Sequence, residues 1–176
     1  WAEVVERWVQ RCAAAIEAER ARGAAPAGPP ARDLAIGEVA TFRLTYVLPE
    51  GQTRGLVLSD LLPLGAGGTL GNVSASIVSV GGAISGAGVP PAGSSIAFDS
   101  GTHSYIATFG DVSVNSGSTE ADRTIVIEVN ARASDVVENV RGLTPSNRAD
   151  ARYVTTNQDG STDNYLESAQ VGVRLV

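Results

Sequence analysis

The sequence predicts a mainly β protein, an antiparallel β-sandwich of about eight strands, preceded by a short amphipathic N-terminal helix and a Pro-rich linker. Three observations carry this reading. From Leu34 onward, apolar and polar residues alternate in short runs, the period of half-buried strands. Turn-forming residues separate those runs, with Gly 20 and Pro 8 in 176 residues. The first 22 residues instead repeat apolar side chains at three- and four-residue steps. At this length one domain is expected, since domains usually run to roughly 100 to 200 residues.

Residues 1–22 read as the helix. Trp1, Val4, Val5, Trp8, Val9, Cys12 and Ile16 form one apolar stripe, while Glu3, Glu6, Arg7, Gln10, Arg11, Glu17, Glu19 and Arg20 lie mostly off it. Gly23 can stop the helix, and Pro26, Pro29 and Pro30 prevent its resumption. Residues 23–33 are therefore expected to be an extended, semi-rigid spacer. A face that carries both tryptophans of the chain must bury itself somewhere: on its own domain, on a neighbouring domain or subunit, or within a preceding domain to which the helix belongs. Trp1, Val5, Trp8, Cys12 and Ile16 are accordingly the expected interaction residues.

Residues 34–176 read as the sandwich. Ala40, Phe42, Leu44, Tyr46 and Leu48 alternate with Thr41, Arg43, Thr45 and Val47, so one face of this strand is core. After the turn Pro49-Glu50-Gly51 come Leu56–Leu61, then Val73, Ala75 and Ile77 among serines, and a Gly/Pro-rich loop from Gly81 to Gly93. Ile96–Phe98 and Tyr105–Phe109 flank the turn Asp99-Ser100-Gly101. Thr124–Ala131 alternates with Ile125, Ile127 and Val129 on one side. Arg148–Thr156 and Ser168–Val176 complete the set, the latter with Ala169, Val171, Val173 and Leu175 inward. A turn at Val136–Val140 is the only helical signal after the linker.

Charge excludes several function classes. The net charge is −6; residues 1–33 balance five acids against five arginines, and the rest of the chain holds fourteen acids against eight arginines. With no basic stripe to neutralise phosphates, nucleic acid is not an expected partner, and anionic membrane surfaces are disfavoured likewise. No apolar run approaches the roughly 20 residues that span a bilayer, so membrane insertion is not expected. Cys12 is the sole cysteine, which rules out an intrachain disulfide and leaves a small buried hydrophobe as the simplest reading. Without an initiator Met, Trp1 is expected to begin a processed or truncated chain.

Two stretches carry a resemblance. IGEVATFRLTYVLPEGQTRGLVLSDLLPLG (36–65), and TFGDVSVNSGSTEADRTIVIEVNARASDVVENVRG followed by SNRADARYVTTNQDGSTDNYLESAQVGVRLV, are similar to the opening and closing halves of immunoglobulin-like repeats of large bacterial surface proteins, the isopeptide-forming fimbrial or adhesin domains. The resemblance covers residues 34–176 and implies an immunoglobulin-like sandwich on an extracellular, bacterial cell-surface fibre. Many such relatives hold an amide cross-link between a Lys and an Asn side chain, assisted by a buried acid. This chain has no lysine, so Asn147, Asn130 and Asp60 do not carry over as cross-link residues. The N-terminal helix also stands outside the family pattern.

Chemical signals are sparse, and no enzyme activity is expected. His103, the only histidine, sits in a turn with no sign of an activated nucleophile, and is expected to be solvated. One His and one Cys cannot supply the ligands zinc needs. The glycine runs Gly65–Gly68 and Gly81–Gly88 lack the setting and the Lys of a phosphate loop and read as flexible connections. No cofactor is expected, calcium being the one candidate, at Asn157, Asp159 and Asp163; the run lacks EF-hand spacing and reads first as a hairpin connection. Asp99, Asp111, Glu120 and Asp122 could join such a site only if the fold gathers them. Tyr105, Tyr153 and Tyr165 could stack on a sugar if they point outward.

The expected function is that of a structural subunit or repeat module of an extracellular fibre or adhesin, assembling with neighbouring copies or tandem domains through non-covalent head-to-tail contacts of the N-terminal segment into a homo-oligomer or filament. The alternatives are a module binding a glycan, host protein or calcium at the loop end of the sandwich, and a virion surface decoration domain.

Overall fold

The computed structural model describes residues 33–64, 69–156 and 162–175. The expected helix of residues 1–22 and nearly all of the linker lie outside the described residues, as do the Gly65–Gly68 run, Asn157 and Asp159.

The described residues form eleven strands in chain order: β1 (Asp33–Leu34), β2 (Val39–Val47), β3 (Gly51–Leu61), β4 (Leu70–Val80), β5 (Ile84–Ser85), β6 (Phe98–Asp99), β7 (Ser104–Val114), β8 (Thr124–Ala133), β9 (Ser146–Thr156), β10 (Thr162–Gly172) and β11 (Arg174–Leu175). One sheet has the order β2-β8-β4. The larger one runs β10-β9-β3-β7, with β5 and β6 both on the outer side of β7. All pairs within these two sheets are antiparallel, whereas β1 and β11 pair in parallel. The connections β2–β3, β3–β4, β7–β8 and β8–β9 each change sheet, so neighbours in sequence face one another across the core, as in immunoglobulin-like sandwiches.

The core follows from the alternation. Phe42, Leu44 and Leu48 from β2 and its end, and Ile125, Ile127, Val129, Ala131 and Ala133 from β8, meet Leu56, Leu58, Ala107, Phe109 and Val112 from the opposite sheet. The outward side chains of the small sheet pair across strands: Thr41 donates to Asn130 at 2.7 Å, and Arg43 meets Glu128 at 3.3 Å. Helical structure among the described residues is limited to a 3-10 turn at Ala121–Arg123, and the expected turn after Val136 is present, with Asn139 N–H donating to Val136 O.

Three expectations need correction. The last long strand begins at Thr162 rather than Ser168, its first half being exposed on both faces and showing no alternation, and Val171, expected inward, is exposed. The run Gly81–Gly88 is packed rather than flexible: a Cβ on Gly81 would lie 2.2 Å from Asp122 O, and Gly81 N–H donates to Thr124 O. Its continuation is pinned too, as Ile77 exchanges hydrogen bonds with Gly93 and Ser94 beside the bridge Ser76–Ser95. His103 is half-buried, with its ring edge-on to Phe98 at 5.1 Å and Nε2 3.3 Å from Leu70 O, because a backbone φ of 52° turns it back onto the sheet.

Candidate functional site

One buried polar pair sits inside the sandwich, placed there by a bulge. Thr53 is buried on β3, so simple alternation would turn residues 55, 57 and 59 inward. Gly55, at φ 58°, adds an extra residue where the register between β3 and β7 shifts, and its N–H is held by Asp111 Oδ1 at 2.9 Å. Beyond it Leu56, Leu58 and Asp60 face the core instead. Asp60 lies opposite Tyr105 of β7 and Ala149 of β9, which puts Asn147 on the same face one diagonal away. Asn147 Nδ2 donates to Asp60 Oδ2 at 2.7 Å, both residues being buried.

Burial pushes the Asp60 carboxyl up to about 7, against the opposing pull of the Asn147 hydrogen bond. Asp60 Oδ1 and Asn147 Oδ1 are buried without a hydrogen-bond partner. One proton on Asp60 would supply the missing donor, making a neutral acid–amide pair. Asn130, by contrast, lies on the outer face of the small sheet with Thr41 and Ser74. A chain with no lysine offers no side-chain amine to this pair, so it ties β3 to β9 without a covalent bond.

A second carboxylate was missed by sequence reasoning. Arg148-Ala149-Asp150-Ala151-Arg152 reads as one apolar and one charged face, yet Asp150 on the charged face is buried. Cross-strand neighbours Ser59 and Ser168 flank it, Ser168 Oγ donates to it at 2.7 Å, and Arg148 grips both oxygens through Nε and Nη2 at 2.7 and 2.8 Å. Burial alone would raise its pKa, and the hydrogen bonds from Arg148 and Ser168 outweigh this, holding the carboxyl below its usual range. Only the pairing of strands, not the sequence of one of them, could reveal this.

The two ends of the described chain meet. Asp33 pairs with Arg174 and Leu34 with Leu175, and both leucines are core residues. On its other side β11 is held by Val173 N–H to Pro145 O, Leu175 N–H to Leu143 O and Gly142 N–H to Leu175 O. Because β1 and β11 run the same way, the chain arrives and leaves in line. At that end of the sandwich three loops are stitched together. Gly37 N–H donates to Ala133 O, Ser134 N–H donates to Thr69 O, and the Asn139 side chain bonds Thr69 through both its N–H and its C=O.

Trp1, Val5, Trp8, Cys12 and Ile16 lie outside the described residues. Asp163 is exposed near the start of β10, Asp99 and Asp122 hold local turns through Gly101 and Thr102 and through Thr119, and Asp111 reaches across from β7 to the Gly55 bulge. No group of three or more His, Cys, Asp or Glu able to hold a metal occurs among the described residues. Tyr105 points into the core, while Tyr165 is partly exposed and stacked on Tyr153 at 5.2 Å. Burial and the hydrogen bond to Glu167 push the Tyr153 hydroxyl up to about 12. No helix among the described residues is long and apolar enough to cross a membrane.

The chain is similar in part to several solved structures. The chain matches BcpA, the major pilin subunit of Bacillus cereus, at 13% identity over 81% of this chain and 37% of that one, with a TM-score of 0.47. It matches the 35 kDa C-terminal fragment of the major pilin GBS80 of Streptococcus agalactiae at 10% identity over 82% and 51%, with a TM-score of 0.46. ACE19, the collagen-binding subdomain of the Enterococcus faecalis surface protein ACE, matches at 15% identity over 80% and 93%, with a TM-score of 0.40. The chain spans little more than a third of the BcpA chain. A family model described as "Transcriptional regulator EthR, C-terminal domain" matches residues 1–41, which include β1 and the first residues of β2 and leave the rest of the sandwich unmatched. No curated protein matches the chain.

Proposed function

We propose that this chain is a structural module of a bacterial extracellular fibre or surface adhesin, set in line with neighbouring copies through non-covalent head-to-tail contacts of residues 1–33. The observation that carries the reading is the parallel pairing of the first and last described strands. A chain pulled from upstream of Asp33 and downstream of Leu175 drags β1 and β11 in opposite directions. The load then falls in shear on the hydrogen bonds and on two buried leucines, rather than peeling one strand at a time. A module with this arrangement transmits tension between neighbours. The similarity of residues 34–176 to immunoglobulin-like surface repeats supports the same reading, as does an apolar stripe on residues 1–22 set apart from the sandwich by a proline-rich spacer. With no lysine for a cross-link, resistance to load rests on packing and on ties such as Asp60–Asn147.

The test compares the whole chain with one lacking residues 1–32, which retains β1. Negative-stain electron microscopy and light-scattering mass determination should show oligomers or filaments for the whole chain and monomers for the shortened one. A whole chain that stays monomeric at high concentration would overturn the reading.

A further inference from the structure

The described residues expose large apolar side chains unevenly. Ile36, Leu64, Val136, Val137 and Val140 all lie at the end of the sandwich where β11 finishes, on the three loops stitched together there. They include three of the four most exposed large apolar residues: Val137 at 87%, Leu64 at 62% and Val140 at 57%. Scattered aliphatic side chains are ordinary on a surface, but a cluster on adjoining loops marks a contact. The opposite end is polar. Its loops present Glu50, Asn115, Ser116, Thr119 and Glu120, all exposed.

We infer that this apolar end receives the Trp1–Ile16 stripe of a second copy of the chain. The inference rests on the head-to-tail reading above and names the surface on which the segment lands. Direction and length select the occupant. Since β1 runs parallel to β11 toward the apolar end, it enters the sandwich from the side of the polar end. Extended at about 3.1 Å per residue, the ten residues 23–32 reach about 31 Å. The eleven residues of β10, at about 3.3 Å each, set the height of the sandwich at about 36 Å. The spacer is thus long enough to carry residues 1–22 close to the polar end of its own module. The described loops of that end offer the stripe no exposed large apolar side chain, whereas a copy stacked in line presents its Val136-Val137-Val140 end. At about 1.5 Å per residue, a 22-residue helix is about 33 Å long, enough to lie across such an end.

The sole cysteine makes the contact measurable, because Cys12 lies on the stripe. Val137→Cys adds one exposed thiol at the apolar end, and Thr108→Cys adds one on an exposed strand position in the middle of β7 as a control. With a short bismaleimide, V137C should form chain-to-chain products at least about tenfold faster than T108C, since docking raises the local thiol concentration. Equal rates would overturn the docking site, and a product linked only within one chain would overturn the second copy as occupant. The pair V137D/V140D should weaken assembly roughly 10- to 100-fold with an unchanged melting temperature, because both residues are solvent-exposed in the single module. If the whole chain assembles, the shortened one does not, and V137D/V140D assembles like the parent, the assembly reading stands and this surface falls. If the whole chain is monomeric, the assembly reading itself falls.

Discussion

At the residue scale the Asp60–Asn147 pair sets a pH dependence of stability. The carboxyl titrates near 3.8 when unfolded and at about 7 when folded. Between those values the folded chain keeps a proton the unfolded chain has lost, so stability falls as pH rises from about 4 to about 7 and is flat above. The span corresponds to about 4 kcal/mol at most. Asp150 works in the opposite sense: its carboxyl is held below the usual range, and its contribution is lost as pH falls through that lower value. From these two groups, stability should peak just below about pH 4. Asp60→Asn keeps the shape, supplies the donor for Asn147 Oδ1 and carries no charge. It should erase the decline between about pH 4 and 7 and exceed the parent in stability at about pH 8, measured by urea melts across that range. Parallel pH profiles for parent and variant would show that Asp60 is not the titrating group.

At the scale of elements, legibility in the sequence tracked burial. The strands β2 and β8 each have one face in the core, and their alternation through Phe42 and Leu44, or Ile125, Ile127 and Val129, announces both strand and register. The strand β10 pairs only with β9 and is exposed along nearly its whole length, so Thr162–Glu167 carries no periodic signal and half the strand was invisible. The buried pair was hidden for another reason. Asp60 lies inward only because the bulge at Gly55 reverses the parity of β3, and a bulge shows itself through the partner strand rather than through its own composition. That dependence can be measured. Gly55→Ala places a side chain at φ 58°, where open space surrounds the new Cβ and the left-handed backbone alone is costly. It should cost about 1 kcal/mol, a drop of roughly 2 to 8 °C in Tm. Gly82→Ala meets equally open space without a positive φ and should be neutral or stabilise by about 0.5 kcal/mol. Equal effects of the two substitutions would mean that the bulge does not require its glycine.

At the scale of the whole molecule, the shared position of β1 and β11 separates two kinds of stability that a melting curve merges. Leu175 and Leu48 are both fully buried aliphatic side chains, one on the terminal strand and the other at the far end of β2. Truncating either to Ala removes the same atoms from the same core, at about 2 to 5 kcal/mol each. Heating samples all contacts at once, so Leu175→Ala and Leu48→Ala should lower Tm by similar amounts. Tension applied through the two termini does not sample them equally. It loads the β1–β11 pair before the rest of the sheet, and Leu175 is the residue of β11 whose buried side chain packs that pair onto the core. Single-molecule pulling should therefore show a large fall in unfolding force for Leu175→Ala and a small one for Leu48→Ala. If force falls equally in both, the terminal pair does not resist tension first, and the in-line geometry loses its mechanical meaning. If the two separate as expected, packing at one strand pair does in this lysine-free chain what a covalent tie would otherwise do.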